Sequence, residues 1–291
     1  MFRRPPPLAP GDRVGVAALS GWAAEDRLRR GMDALRELGY EPVPADNLGR
    51  REGVFAGTDA ERLGGLHGLL EDDDLAAVFF LRGGHGVLRL LDRLDWDLVG
   101  RRPRAFVGYS DLTPLLLEIS RRFGWITFHG PMVGVELARG LGPEERTSLT
   151  ALLDGGPAPG CDLFPPVAGS AVEGVFWGGC LSLLCACLGT EFAPTPPPGA
   201  ILFWEDVDEP FYRVDRMLTQ LRLSGSVASL SGMVTGRTAL EAVDLERLGR
   251  DFRISFATGL SSGHCEPNLT LPLGAKARVD PQRRRIDFDL D

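Results

Sequence analysis

The chain has 291 residues, a formal net charge of −8 at pH 7 and 44% hydrophobic residues, which suits one large globular domain or two ordinary ones. The negative charge argues against a nucleic-acid partner, because binding to phosphates needs a cationic surface. The sequence contains no signal-peptide pattern and no apolar run of the ~20 residues that span a membrane, so we expect a cytoplasmic protein with no membrane partner.

The first half of the chain alternates short apolar strands with amphipathic helices. In chain order, we expect a strand over 12–19, a helix over 23–40, a strand over 41–45, a helix over 61–75, a strand over 76–81, a helix over 87–94, a strand over 104–108, a helix after Ser110 and a strand over 125–131. Continuous apolar strands that alternate with helices are typical of a parallel sheet covered on both faces.

The second half begins after residues 152–170, where Gly and Pro concentrate. We predict an N-terminal α/β domain over 1–155, a linker over 156–170 and a C-terminal α+β domain over 171–291. The last segment, "LTLPLGAKARVDPQRRRIDFDL", predicts a β-hairpin that turns at Asp280-Pro281. The predicted fold class is α/β, with an N-terminal parallel-sheet domain of the flavodoxin or glutamine-amidotransferase type and a smaller second domain.

Two turns, "RGGHG" (82–86) and "GYSD" (108–111), follow apolar strands. In parallel sheets, ligands bind beyond the carboxyl ends of the strands. Ser110 can be interpreted as the N-cap of the next helix or as a nucleophile held at a strand-to-helix turn. The second glycine of the hydrolase elbow is absent, since position 112 is Leu, and from the residues alone both interpretations of Ser110 stay open.

A serine nucleophile needs a base and an orienting carboxylate. Glu205, directly after "ILFW", is a candidate for the carboxylate, and "RGGHG" could cradle a phosphate or form an oxyanion hole. His67 is expected on a helix surface, whereas the Gly-flanked His85 and His129 could line a site. His264 lies in the Gly- and Ser-rich "GLSSGHCEPNLTLPLG".

Metal and disulfide chemistry have little support in the sequence. The chain has five cysteines, and this odd number in a chain of this size does not suggest a disulfide framework. Cys180, Cys185 and Cys187 lie in the apolar "CLSLLCACLG" and are expected to be buried. The chain lacks HExxH and paired Cys or His residues at ligand spacing, so we predict no metal site.

Seven segments, in their order and spacing, resemble the LD-carboxypeptidase family of serine peptidases, which includes muramoyl-tetrapeptide carboxypeptidases and microcin C self-immunity hydrolases. They are "GDRVGVAALSG", "RGGHGVLRLLDRLDWDLV", "FVGYSDLTPLL", "TFHGPM", "FWGGCLSLLCACLGT", "ILFWEDVDEPFYRVDRMLTQL" and "GHCEPNLTLPLG".

The resemblance implies a catalytic triad of Ser110 as nucleophile, His264 as general base and then acid, and Glu205 as the residue that orients the imidazole. It implies an oxyanion hole formed by the N–H groups of Gly84 and Asp111. The implied reaction is hydrolysis of the amide between the L-centre of a diamino acid and the C-terminal D-Ala of a murein tetrapeptide.

A free terminal carboxylate is best bound by a bidentate arginine, and Arg82 and Arg213 are both candidates. The family usually has Tyr where this chain has His85, so His85 bears on substrate binding. Leu19 and Cys180 also replace the usual Pro and Asn. The resemblance implies no metal or other cofactor, and it suggests a homodimer.

Two other functions compete with this one. The same triad could cleave a peptide-nucleotide antibiotic of the microcin C type. Alternatively, the chain could be a non-catalytic binding protein for a small ligand, with Ser110 as a helix cap and "RGGHG" as the ligand cradle.

Overall fold

The structure, a computed structural model, describes residues 2–290 apart from the side chains at positions 166 and 167. Its strands are β1 (Arg13–Ala17), β2 (Glu41–Pro44), β3 (Leu75–Phe80), β4 (Ala105–Gly108), β5 (Thr127–His129), β6 (Cys161–Asp162), β7 (Phe164–Ala168), β8 (Val172–Cys180), β9 (Ile201–Glu205), β10 (Gly232–Gly236), β11 (Ser255–Leu260), β12 (Leu271–Leu273), β13 (Lys276–Asp280) and β14 (Arg285–Asp289). Its α-helices are α1 (Glu25–Glu37), α2 (Asp59–Glu71), α3 (Trp96–Gly100), α4 (Thr113–Phe123), α5 (Pro143–Leu153), α6 (Leu181–Ala186), α7 (Phe211–Leu223) and α8 (Ala242–Phe252).

The first sheet has the strand order β12-β5-β4-β3-β1-β2. Strands β1 to β5 pair in parallel, whereas β12 pairs antiparallel to β5. Phe79 and Phe80, adjacent in β3, are both 0% exposed and belong to separate apolar clusters. Because successive strand residues point to opposite faces, the sheet has a core on each side, as its continuous apolar strands predicted.

The second sheet has the order β6-β14-β13-β8-β9-β10-β11-β7. Its central strands β8 to β11 are parallel, and antiparallel strands flank them on both sides. Helix α4 packs against both β8 and α6, so the helix that follows Ser110 contacts the second sheet. The predicted α/β class with two structural units is therefore confirmed.

Two segments differ from their sequence-based expectations. Residues 87–94 form two short 3-10 turns, Val87–Arg89 and Leu91–Arg93, instead of one helix. The predicted hairpin is present as β13 and β14, but Leu271–Leu273 leaves it and pairs with the edge of the first sheet, where both leucines are fully buried.

Strand β12 lies within the range that we assigned to the C-terminal domain, and the domain boundaries remain a prediction. No helix within residues 2–290 is long and apolar enough to cross a bilayer.

Candidate active site

Ser110 lies in the turn that joins β4 to α4. Its φ of 61° is in the left-handed region, which costs a non-glycine residue roughly 1–2 kcal/mol. The 3-10 turn Ser110–Leu112 leads into α4, and neither this turn nor α4 has a side-chain N-cap hydrogen bond. Ser110 is therefore not held in place as a helix cap, and its strained backbone points to another role.

The imidazole of His264 joins Ser110 to Glu205. Its Nε2 lies 3.1 Å from Ser110 Oγ, and its Nδ1 lies 2.7 Å from Glu205 Oε2. The same carboxylate oxygen accepts the backbone N–H of His264 at 3.0 Å. Glu205 ends β9, whereas His264 lies in residues 261–270, the histidine loop, between β11 and β12. Three segments that are distant in sequence thus converge on one hydroxyl.

The electrostatics of the pair favour a basic imidazole. Burial raises the pKa of Glu205, but the hydrogen bonds and charge of His264 outweigh burial, so the pKa is lowered and the carboxylate stays ionised. Burial lowers the pKa of His264, but the hydrogen bond and charge of Glu205 outweigh it, so its pKa is raised. An ionised carboxylate only accepts hydrogen bonds. Glu205 therefore holds the ring proton on Nδ1 and leaves the Nε2 lone pair facing Ser110.

The space for the Glu205 carboxylate depends on two glycines. A Cβ at Gly263, whose φ is +96°, would lie 2.3 Å from Glu205 Oε2. A Cβ at Gly236 would lie 2.6 Å from Glu205 Cβ. Both distances are shorter than any ordinary carbon contact, so a side chain at either position would displace the acid.

The 82–86 turn lies directly beside Ser110. A Cβ at Gly83 would lie 3.0 Å from Ser110 Oγ and 3.5 Å from the backbone nitrogen of Asp111. The neighbouring Gly84 has a φ of +120°. β3 and β4 are parallel neighbours, so the two turns that follow them lie at the same edge of the sheet.

Asp111 ties these loops together through its side chain. Its Oδ2 accepts the hydroxyl of Ser20 at 2.6 Å and the N–H of Val87 at 3.0 Å, and the residue is only 3% exposed. The loop after β1 and the end of the Gly-rich turn are thereby fixed to the turn that carries Ser110.

The three predicted substrate-binding residues are all exposed. Arg82 donates to the carbonyl of Trp22 at 3.3 Å. The ring of His85 lies 5.4 Å from that of Phe55. Arg213, in the first turn of α7, pairs with Glu209 at 3.2 Å. Arg82 and His85 share the turn beside Ser110, whereas Arg213 lies on the helix after Glu205.

The other two histidines, His67 and His129, do not take part in the triad. His67, on α2, accepts the N–H of Asp95 at 3.2 Å. His129 ends β5 and is 0% exposed, with its ring packed 5.5 Å from Tyr109 and 5.2 Å from Phe203. Burial lowers the pKa of His129 to about 4. This neutral side chain is fully buried beneath the site, so it does not line the site, as the sequence had suggested it could.

The cysteines are all free thiols, and Cys180, Cys185 and Cys187 are buried as predicted. Within the described part of the chain, no group of three or more His, Cys, Asp or Glu residues is arranged to hold a metal ion.

Some residues near the site escaped sequence reasoning. Gly83, which makes the close approach to Ser110, was within the quoted "RGGHG" but was not singled out. Tyr109, Glu136 and Asn268 form buried hydrogen bonds around the triad. A polar residue inside an apolar stretch, such as Glu136 in "VGVEL", was the available signal.

A hydroxyl, an imidazole and a carboxylate in series, set beside a Gly-rich turn on a two-sheet α/β fold, define a serine hydrolase. The LD-carboxypeptidase N-terminal domain matches residues 14–130, and the LD-carboxypeptidase C-terminal domain matches residues 173–279. The chain belongs to the LD-carboxypeptidase family and is a serine carboxypeptidase.

Known relatives align over nearly the whole chain. A murein tetrapeptide carboxypeptidase of Pseudomonas aeruginosa is 32% identical, over 94% of this chain and 94% of its own. The crystal structure of a muramoyltetrapeptide carboxypeptidase from Oxalobacter formigenes is 29% identical, with a TM-score of 0.86 over 95% of this chain and 97% of that one.

The fold is as similar to that of MccF, the microcin C7 self-immunity protein of Escherichia coli, as it is to that of the muramoyltetrapeptide carboxypeptidase. The structure of MccF in complex with glutamyl sulfamoyl guanosine is 26% identical, with a TM-score of 0.87 over 98% of this chain and 97% of that one.

Proposed function

We propose that this protein is a murein-tetrapeptide LD-carboxypeptidase, which releases the C-terminal D-Ala from the L-centre of the third, diamino acid residue. The names of the relatives support this substrate class. The observation that carries the proposal is the continuous contact from Glu205 through His264 to Ser110.

In the proposed mechanism, Ser110 Oγ attacks the carbonyl carbon of the scissile amide while His264 Nε2 takes the hydroxyl proton. The imidazolium is stabilised by the buried Glu205. His264 then gives the proton to the departing amine of D-Ala, which leaves an acyl ester on Ser110. A water molecule, deprotonated by His264, attacks the ester, and the proton returns to Ser110 as the tripeptide leaves.

The N–H groups of Gly84 and Asp111 are proposed to stabilise the negative charge on the tetrahedral oxygen. The close approach of Gly83 to Ser110 and Asp111 supports this, because the backbone of the turn borders the reacting hydroxyl. Loss of one such donor typically costs about 3–4 kcal/mol of transition-state stabilisation.

Arg82 and Arg213 are the proposed partners of the substrate's terminal carboxylate. Each is replaced by Ala, and the KM for a tetrapeptide is compared with that for its C-terminal amide. Replacing the arginine that binds the carboxylate should raise KM for the tetrapeptide but not for its amide, because the amide offers no charge to a guanidinium. A parallel His85→Tyr variant tests whether this position changes substrate preference.

The decisive test has two arms. A fluorophosphonate probe should label the wild type but not Ser110→Ala, and the wild type should release D-Ala from a murein tetrapeptide. Labelling without D-Ala release would instead favour the peptide-nucleotide alternative that the MccF likeness suggests, to be assayed with an aminoacyl-sulfamoyl adenylate. Equal labelling of both proteins would contradict the proposed triad, and labelling of neither would contradict it and favour a binding protein.

A cytoplasmic location, expected from the signal-peptide and membrane-span patterns of the sequence, and a homodimer, suggested by the family resemblance, remain proposals. Light scattering of the purified protein should give a mass near twice 31.5 kDa. A monomer at all concentrations would contradict the dimer.

A further inference from the structure

The histidine loop is attached to the first half of the chain through Asn268, which is 0% exposed. Its Oδ1 accepts the N–H of Gly263, the residue before His264, at 2.8 Å. Its Nδ2 donates to Glu136 Oε1 at 3.3 Å, and its backbone N–H donates to Glu145 Oε1 at 2.8 Å. Asn268 thus joins the neighbour of the proposed base to two acids outside the loop.

Glu136 carries this connection to the nucleophile. It is 5% exposed, and its Oε1 also accepts the hydroxyl of Tyr109 at 2.7 Å. Tyr109 directly precedes Ser110, and its ring meets that of His264 edge-on at 5.1 Å. Burial, together with the charge of Glu136, raises the pKa of Tyr109, so its hydroxyl remains a donor.

Glu145 anchors the other side of the loop. It is 1% exposed, and it accepts Arg139 at 2.7 Å as well as the Asn268 N–H. Glu136 and Glu145, both in the first half of the chain, therefore each accept a hydrogen bond from Asn268 on the histidine loop.

We propose that Asn268 and Glu136 are positioning residues that set the distance between Ser110 and His264. The inference rests on the proposed function, because it assigns a role relative to that triad. Glu205 and Asn268 hold the histidine in different ways: Glu205 fixes the ring proton, whereas Asn268 fixes the loop against the nucleophile turn. The two attachments should therefore be separable by experiment.

The pH profile of the reaction should distinguish the role of Asn268 from that of Glu205. The charged and titratable groups around His264 are Glu205 and Asp206 at the end of β9, Glu136, Tyr109, the buried His129 and the adjacent Cys265. Asn268→Ala leaves all of them in place. We expect kcat to fall about 10- to 100-fold, since a misplacement of about 1 Å can cost that much. The acidic limb of kcat/KM should stay where it is in the wild type.

A donor–acceptor exchange tests the direct contact. Asn268→Asp places a carboxylate against Glu136, and Glu136→Gln can place an amide N–H₂ against that of Asn268. Each single variant should lower kcat about 10- to 100-fold. The double variant again pairs one amide with one carboxylate, with the amide now at position 136 and the carboxylate at position 268. Its kcat should be at least tenfold higher than that of the less active single variant. Glu118→Gln, a buried acid bonded to Arg121 and Arg122 on α4, is the matched control and should keep the wild-type kcat.

Thermal unfolding identifies any variant that fails to fold. In that case Tyr109→Phe carries the test: it keeps the ring against His264, removes one donor to Glu136 and should reduce kcat several-fold. Wild-type rates of fluorophosphonate labelling in Asn268→Ala and Tyr109→Phe would overturn the inference while the triad stands. A double variant no better than the worse single would do the same, and so would a shifted acidic limb in Asn268→Ala. An unlabelled wild type would overturn the proposed function, and the inference with it.

Discussion

One oxygen of Glu205, Oε2, accepts both the ring Nδ1–H of His264 at 2.7 Å and its backbone N–H at 3.0 Å. The carboxylate thereby fixes the ring proton and the backbone that carries the ring. This double contact makes the pH dependence of the reaction a direct report on the pair.

The first prediction concerns this pH dependence. His264 acts as a base only when neutral, and Glu205 raises its pKa. In the wild type, kcat/KM should therefore rise with pH through an apparent pKa above the ordinary ~6.5 of histidine. In Glu205→Gln the charge is lost and burial remains, so the limb should move to lower pH. The plateau should fall about 10⁴-fold, as in comparable triads.

Glu118→Gln serves as the control in these pH–rate measurements and should keep both the limb and the plateau. An unchanged limb in Glu205→Gln would mean that Glu205 does not set the basicity of His264.

The second prediction concerns Gly83. In Gly83→Ala the new methyl group would lie 2.9 Å from Ser110 Cβ and 3.5 Å from Asp111 N. We expect kcat/KM to fall about 100-fold or more, because the hydroxyl and the proposed oxyanion donors must shift. Gly64→Ala is the matched control: Gly64 lies in α2 with no atom within 4 Å of an added Cβ. It should keep full activity, and a Gly83→Ala enzyme with equal activity would exclude a close role for the turn.

The third prediction separates stability from activity at Ser110. A φ of 61° suits glycine better than residues with a Cβ. The free energy of unfolding of Ser110→Gly should therefore be about 0.5–1 kcal/mol higher than that of Ser110→Ala. This difference already allows for the larger conformational entropy of glycine in the unfolded chain. Urea denaturation measures this difference, and both variants should lack fluorophosphonate labelling. A less stable glycine variant would argue against backbone strain at this position.

The fourth prediction concerns Cys265, which is adjacent to His264 and could be mistaken for a nucleophile. Burial is the largest influence that raises the pKa of its thiol, to about 11, and its Sγ contacts the carbonyl of Pro267 at 3.3 Å. At neutral pH the reactive thiolate is therefore scarce. Cys265→Ala should keep at least half of the wild-type kcat, and iodoacetamide at pH 7 should not inactivate the wild type. Rapid inactivation that Cys265→Ala abolishes would reveal a reactive thiol.

The strand-and-helix alternation of the first half could be predicted from the sequence, because buried parallel strands need continuous apolar residues. The pairing of Leu271–Leu273 with β5 could not. A three-residue apolar strand carries no information about its partner, and the hairpin that follows offered a local alternative. Likewise, residues 87–94 place apolar residues at helical spacing, but that spacing does not distinguish an α-helix from successive 3-10 turns.

The sequence by itself determined the types of residue available at the site, and through seven ordered segments it determined the family. It could not decide between a cap and a nucleophile at Ser110, because both use a hydroxyl at the start of a helix. Only the tertiary structure placed Glu205, His264 and Ser110 in contact, and only it revealed that Asn268 and Glu136 join the histidine loop to the nucleophile turn. These contacts are made between residues far apart along the chain, whose distances depend on how the two sheets pack against each other.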